Sequence, residues 1–132
     1  MGVTIYANNS DLRFDCSYSG FYRLRCAVCK VFNPELYKLY SDYANDNVDE
    51  INALLTDYSE DDLILDFLFQ SDCYGSISYK ACKEIYDLIK DIPEEEARIH
   101  NIRYGAYYRD DWEQFKQLLK ECYSKRRKLR WA

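Results

Sequence analysis

A chain of 132 residues with 48% hydrophobic and 17% aromatic side chains, 4 Gly and 2 Pro is too rich in core-forming residues for intrinsic disorder and too short for two well-packed domains. No run nears the roughly 20 apolar residues that cross a bilayer, and Val3 to Ala7 is too short for a signal-peptide core, which together predict a cytoplasmic protein with no membrane partner. The net charge of −5 is sorted along the chain: residues 42 to 98 hold 16 acidic against 4 basic side chains, a segment charge of −12, whereas residues 1 to 41 carry +2 and residues 99 to 132 carry +5.

Val3-Thr4-Ile5-Tyr6-Ala7 is β-branched and aromatic, Asn8-Asn9-Ser10-Asp11 is a turn cluster, and Leu12 to Cys16 alternates apolar with polar residues, which predicts a β-hairpin. Phe21 to Phe32 follows as a helix with Phe21, Leu24, Arg25, Val28 and Val31 near helical spacing; it ends at Asn33-Pro34, because proline disfavours a helical residue before it. A second helix starts at Pro34 and carries Leu36, Leu39, Tyr40 and Tyr43 on one face.

The acidic middle also reads as helical. Asp46 or Asn47 is expected to cap a helix with Ile51, Leu54 and Leu55, and Ser59 one with Leu63, Ile64, Phe67 and Leu68. Glu60, Asp61 and Asp62 then fall in a first helical turn, where the helix dipole favours carboxylates by about 0.3–1 kcal/mol each. Ser71 to Ser78 is a polar connector with a glycine turn and a short strand, with Asp72 placed to bond its own turn. Tyr79 to Ile92 has an inner face of Ala81, Ile85, Leu88 and Ile89. Pro93 with Glu94, Glu95 and Glu96 opens another helix, and Asp110 or Asp111 starts the last, with Trp112, Phe115, Leu119 and Cys122 inward. Lys128 to Trp131 alternates as a final strand. A lone hairpin is marginal in water, so the helices are expected on one face of a small antiparallel sheet that includes Leu129 and Trp131: an α+β, helix-dominated single domain.

Motifs for chemistry are weak. Cys26-x-x-Cys29 has the spacing of half a zinc site or of a redox pair, but no second ligand pair follows among Cys73, Cys82, Cys122 and His100, and in a chain without an export signal the six cysteines read as reduced, mostly buried thiols. Gln70 to Ile77 resembles the middle of a calcium loop around Gly75, yet Gln70, Tyr74 and Ala81 stand where calcium needs oxygen charge. His100, the single histidine, lacks a legible partner; with no phosphate loop and no nucleophile signature, neither an enzyme nor a metal or other cofactor is expected.

The blocks Gly2 to Tyr6, Asp15 to Arg25, Phe67 to Ile77 and Arg127 to Trp131 resemble, nearly end to end, small proteins encoded by bacteriophages and bacterial mobile elements. That resemblance implies no activity. It implies a setting inside a bacterial host cell, where small acidic phage proteins often bind and block a host factor, CRISPR nucleases and other defence enzymes included.

Charge and setting together predict a non-enzymatic inhibitor of a host defence or nucleic-acid-handling protein with a basic surface. Asp61, Asp62, Glu94, Glu95 and Glu96 are its expected contacts, with Tyr104, Tyr107 and Tyr108 as aromatic anchors. The alternative is a nucleic-acid-binding or regulatory module that uses Lys125, Arg126, Arg127 and Lys128, although cations at the end of a helix also simply offset its negative pole.

Overall fold

Strand β1 (Gly2–Ala7) buries every second residue, and β2 (Arg13–Ser17) does the same, because one face of the hairpin lies on a core and the other does not. The computed structural model describes residues 2–42, 47–97 and 111–132. The hairpin turns through Asn9 at φ 60°, a left-handed conformation that asparagine tolerates. Two further strands complete an antiparallel sheet of order β2-β1-β4-β3: β3 (Gly75–Ile77) and β4 (Leu129–Trp131). Ile5 pairs with Phe14 and Trp131, and Ile77 with Leu129, so the buried side chains of all four strands share one face.

That face is covered by helices. Ser17 ends β2 and its Oγ accepts the Gly20 N–H at 3.0 Å, so one residue both leaves the sheet and caps α1 (Tyr18–Phe32). Asn33 plays a similar double part. Its backbone N–H closes α1 on the Cys29 carbonyl at 2.8 Å, and its Oδ1 accepts from Glu35 and Leu36 to cap α2 (Pro34–Tyr40). Helix α3 (Val48–Leu55) follows with Asn47 before it, but the Asn47 side chain donates to the Leu39 and Asp42 carbonyls instead of capping α3.

The acidic turn differs from the sequence expectation. Helix α4 (Leu63–Phe69) begins after Asp62, whose Oδ1 accepts from Ile64 and Leu65, while Ser59 Oγ holds the Asp61 N–H one turn earlier. The competing acceptor is physically better placed, since a carboxylate at the N-cap meets both the free N–H groups and the helix dipole. Helices α5 (Tyr79–Ile89), α6 (Glu94–Ala97) and α7 (Asp111–Ser124) complete the layer; α5 stops three residues short of the expected Ile92.

The centre of the core is aromatic. Phe67 lies 5.6 Å from Phe115 and 5.7 Å from Trp131, and Phe21 5.4 Å from Trp131, mostly in tilted or edge-on geometry, where ring quadrupoles attract. Into this cluster goes a cation. The guanidinium of Arg25 stands over Phe21, Phe67 and Trp131 at 4.4, 5.4 and 5.3 Å and donates to the carbonyls of Gln70 and Ser71 at 2.9 and 3.3 Å. Trp131 Nε1 donates to the same Ser71 carbonyl at 2.8 Å, and Gln70 clamps Ser76 in both directions. The glycine turn that resembles a calcium loop is therefore closed by an amide and a guanidinium, and Ser71 Oγ, not Asp72, holds the Cys73 N–H.

Candidate functional site

Helix α4 reads Leu-Ile-Leu-Asp-Phe-Leu-Phe, more apolar residues than one core-facing stripe needs. Ile64, Phe67 and Leu68 are buried in the core and Leu65 packs partly buried against its edge, while Phe69 remains 45% exposed, edge-on to Tyr40 at 5.6 Å. Leu65 and Phe69 join Leu55 at the end of α3 and Tyr58 in the connecting turn as the walls of an open hollow of about 390 Å³, with Ser59, Glu60 and Asp66 completing the lining. Tyr58 is fixed there by its ring against Phe32 at 5.2 Å and by its hydroxyl, which accepts from Asn33 Nδ2 at 3.0 Å. The hollow thus lies between the end of α3 and α4, with a positioned aromatic wall.

Its rim is acidic. Glu60 and Asp66 border the opening, and Asp57 and Asp61 are exposed on the same turn. Among the described residues, the ion pairs are local ones within helices, Lys83–Asp87–Lys90, Lys116–Glu113 and Lys125–Glu121, and none engages Asp57, Glu60, Asp61 or Asp66. These carboxylates are exposed to solvent. An apolar floor with uncompensated negative charge at its edge suits a ligand that brings an apolar anchor flanked by cations.

The expected contact residues divide. Asp61 is exposed in the turn that carries the lining residues Ser59 and Glu60, and Asp62 beside it is committed to capping α4. Glu94, Glu95 and Glu96 belong to α6, which packs on α7, whereas α4 packs on α1, α5 and β3, so the two acidic groups stand on separate supports. Glu95 and Glu96 are exposed; Glu94 is half-buried, with Oε1 shielded and without a hydrogen-bond partner. Tyr104, Tyr107, Tyr108 and His100 lie outside the described residues. The basic segment is engaged within the chain at three of its four positions: Lys125 pairs with Glu121 at 2.9 Å, the Arg126 guanidinium lies 6.0 Å from the Tyr79 ring, and Arg127 donates to the carbonyls of Asn8 and Asn9. Lys128 is exposed.

The apolar walls Leu55, Tyr58, Leu65 and Phe69 were not expected as site residues. The available signal was the apolar excess of 63–69, which a period-3.6 pattern alone assigns to the core.

The thiols report their surroundings. Cys26 and Cys29 are buried, and burial pushes both thiols up to about 12, where they stay protonated and poor as metal ligands at neutral pH. Cys82 is raised further, first by its hydrogen bond with Cys122 and then by burial. Cys73 is the exposed one, beside Tyr18, whose phenol it raises by charge repulsion. Among the described residues, no group of three or more His, Cys, Asp or Glu converges on a point that could hold a metal ion, and no helix is long and apolar enough to cross a membrane.

No protein-family model, curated protein or solved structure matches this chain.

Proposed function

We propose that the chain is a non-enzymatic, phage-type binding protein whose α3–α4 hollow receives a basic, apolar-anchored segment of a host protein and blocks it. The observation that carries this reading is the pairing of an apolar hollow with lining carboxylates at Glu60 and Asp66, and Asp61 exposed on the same turn, none of which has an ion pair among the described residues. Nucleic-acid-handling proteins, defence nucleases among them, fit as targets because their working channels are lined by Lys and Arg. Rim carboxylates speed association by long-range attraction, while Leu65, Phe69 and Tyr58 supply the desolvated contact that slows dissociation.

The test is capture from a bacterial lysate by the wild-type chain and by the Glu60→Lys/Asp66→Lys variant, followed by assay of the captured protein with each added back. Wild type should retain and inhibit a protein with a basic surface, with retention weakening as salt shortens the Debye length below about 8 Å. The reversed variant should do neither. Equal capture and inhibition by the two chains overturns the reading.

A further inference from the structure

The outward side chains of the sheet, Arg13, Tyr6, Arg130 and Ser76, remain exposed or partly exposed among the described residues. In-plane pairing sets Arg13 opposite Tyr6, Tyr6 opposite Arg130, and Arg130 opposite Ser76, so one row of four side chains crosses all four strands on the side away from the core. Neighbouring strands are spaced about 4.8 Å apart, which places the two arginines roughly 10 Å apart with the tyrosine between them. Arg13 is exposed, and Tyr6 and Arg130 are half-exposed. Neither arginine has a carboxylate partner among the described residues, and Arg130 Nε is shielded from water without any hydrogen bond. The outward carboxylate within the strands, Asp15, is held by the Thr4 hydroxyl at 2.5 Å. Beside Tyr6 and Arg13 lies an open hollow of about 350 Å³ bounded by the hairpin residues Ala7, Asn9, Ser10 and Asp11.

We infer that this face binds single-stranded nucleic acid, with Arg13 and Arg130 on phosphates and an unpaired base stacked on Tyr6. Cation, aromatic ring and cation in a row match the alternation of phosphate and base along one strand, and Ser76 adds a hydroxyl at the far edge. A duplex offers no free base face to the tyrosine, so the geometry selects single strands. Most of the described acids of residues 42 to 98 lie on α3 to α6 and the turns between them, with none in β3, and they repel a polyanion there. This site is separate from the α3–α4 hollow, and each can fail without the other.

The experiment is fluorescence anisotropy of the full chain with labelled oligothymidine and oligouridine of about 12 nucleotides, and with a duplex of the same length. Single strands should bind at low salt with log K falling against log salt at a slope of about −1.4, as two phosphate contacts require. Arg13→Gln/Arg130→Gln should weaken binding about tenfold or more and flatten that slope. Tyr6→Leu should weaken it at least fivefold, the low end of a lost stacking contact, while Tyr6→Trp restores it; both are judged against an unchanged circular dichroism spectrum. Glu60→Lys/Asp66→Lys should leave it intact, separating this result from that of the groove. No binding at low salt, equal binding of the duplex, or binding removed by Lys125→Ala/Lys128→Ala but not by the sheet substitutions overturns the inference. The wild-type salt slope, the duplex comparison and the Lys125→Ala/Lys128→Ala variant decide the matter even if a sheet variant fails to fold.

Discussion

Arg25 and Trp131, 106 positions apart in sequence, share one carbonyl: the Arg25 guanidinium and the Trp131 indole both donate to Ser71 O, with the guanidinium carbon 5.3 Å from the indole ring. Three segments far apart in sequence, Asp15 to Arg25, Phe67 to Ile77 and Arg127 to Trp131, therefore meet at one point, and a fourth, Gly2 to Tyr6, pairs with Trp131 through Ile5. A cation this buried is costly to desolvate, and burial does lower the Arg25 pKa. The aromatic faces and carbonyls compensate, and Tyr40 adds a phenol on the same guanidinium.

Arg25→Ala should therefore destabilise the fold by about 3 kcal/mol, because two carbonyls lose a charged donor and the aromatic cluster loses its packed stem. Arg25→Lys should recover part of the loss only, since an ammonium cannot span both carbonyls while stacking. Urea midpoints check both; an unchanged Arg25→Ala midpoint would show that the stack is incidental.

Gly75→Ala should cost about 1–3 kcal/mol by overpacking. A Cβ there would lie 2.6 Å from Gln70 Oε1 and within the Trp131 ring's contact surface, and both side chains are held by hydrogen bonds. The cost is steric. Gly20→Ala, whose nearest atom is Ser17 Oγ at 3.1 Å, should be far milder, and thermal melts of the two variants compare them directly.

Asp62→Ala should lose about 1 kcal/mol through the α4 cap, whereas Asp61→Ala should stay within about 0.5 kcal/mol. Asp62 accepts from two backbone N–H groups and Asp61 makes no side-chain bond among the described residues. Denaturant titration separates a folding role from a partner-binding role at these adjacent carboxylates; equal losses would place both in the fold.

Under native conditions a thiol reagent should modify one cysteine quickly, Cys73, and the other five only as the protein unfolds. Counting modified thiols against time, with Cys73→Ser removing the fast phase, checks it. Several fast thiols would mean that the α1 and α5–α7 contacts open readily.

Stability should fall as alkaline pH rises. Cys26 and Cys29 have folded pKa values raised from 9.0 to about 12, so their stabilising contribution is complete below pH 9 and is lost as pH climbs towards 12. The unfolded chain releases protons that the folded chain keeps, a slope of about 1.4 kcal/mol per pH unit per thiol. Cys26→Ala/Cys29→Ala should be less stable at neutral pH but flatter across that window, measured as denaturant midpoint against pH.

Periodicity and caps made most elements readable: the hairpin through Asn8 to Asp11, the break at Asn33-Pro34 and the inward face of α7 all lie within a few residues of their predicted places. Ser59 against Asp62 was not decidable locally, since both are good caps and only the position of the first free N–H groups chooses between them. The acidic reading was legible as charge, but the hollow that gives it an apolar floor was not. Leu55, Tyr58, Leu65 and Phe69 come from two helices and a turn, and no one-dimensional spacing shows that they converge.

By itself the chain determined its elements, its helix-dominated class and the segregation of charge, because these follow from local propensity, capping chemistry and composition, which act over a few residues. Tertiary structure alone decided that the Arg25 guanidinium stacks on Phe21, Phe67 and Trp131, that Arg127 serves the hairpin carbonyls, and that Arg13, Tyr6 and Arg130 share a row. Those are outcomes of strand register and of contacts between residues far apart in sequence, 119 positions for Arg127 and Asn8, fixed only when the sheet packs on the aromatic core.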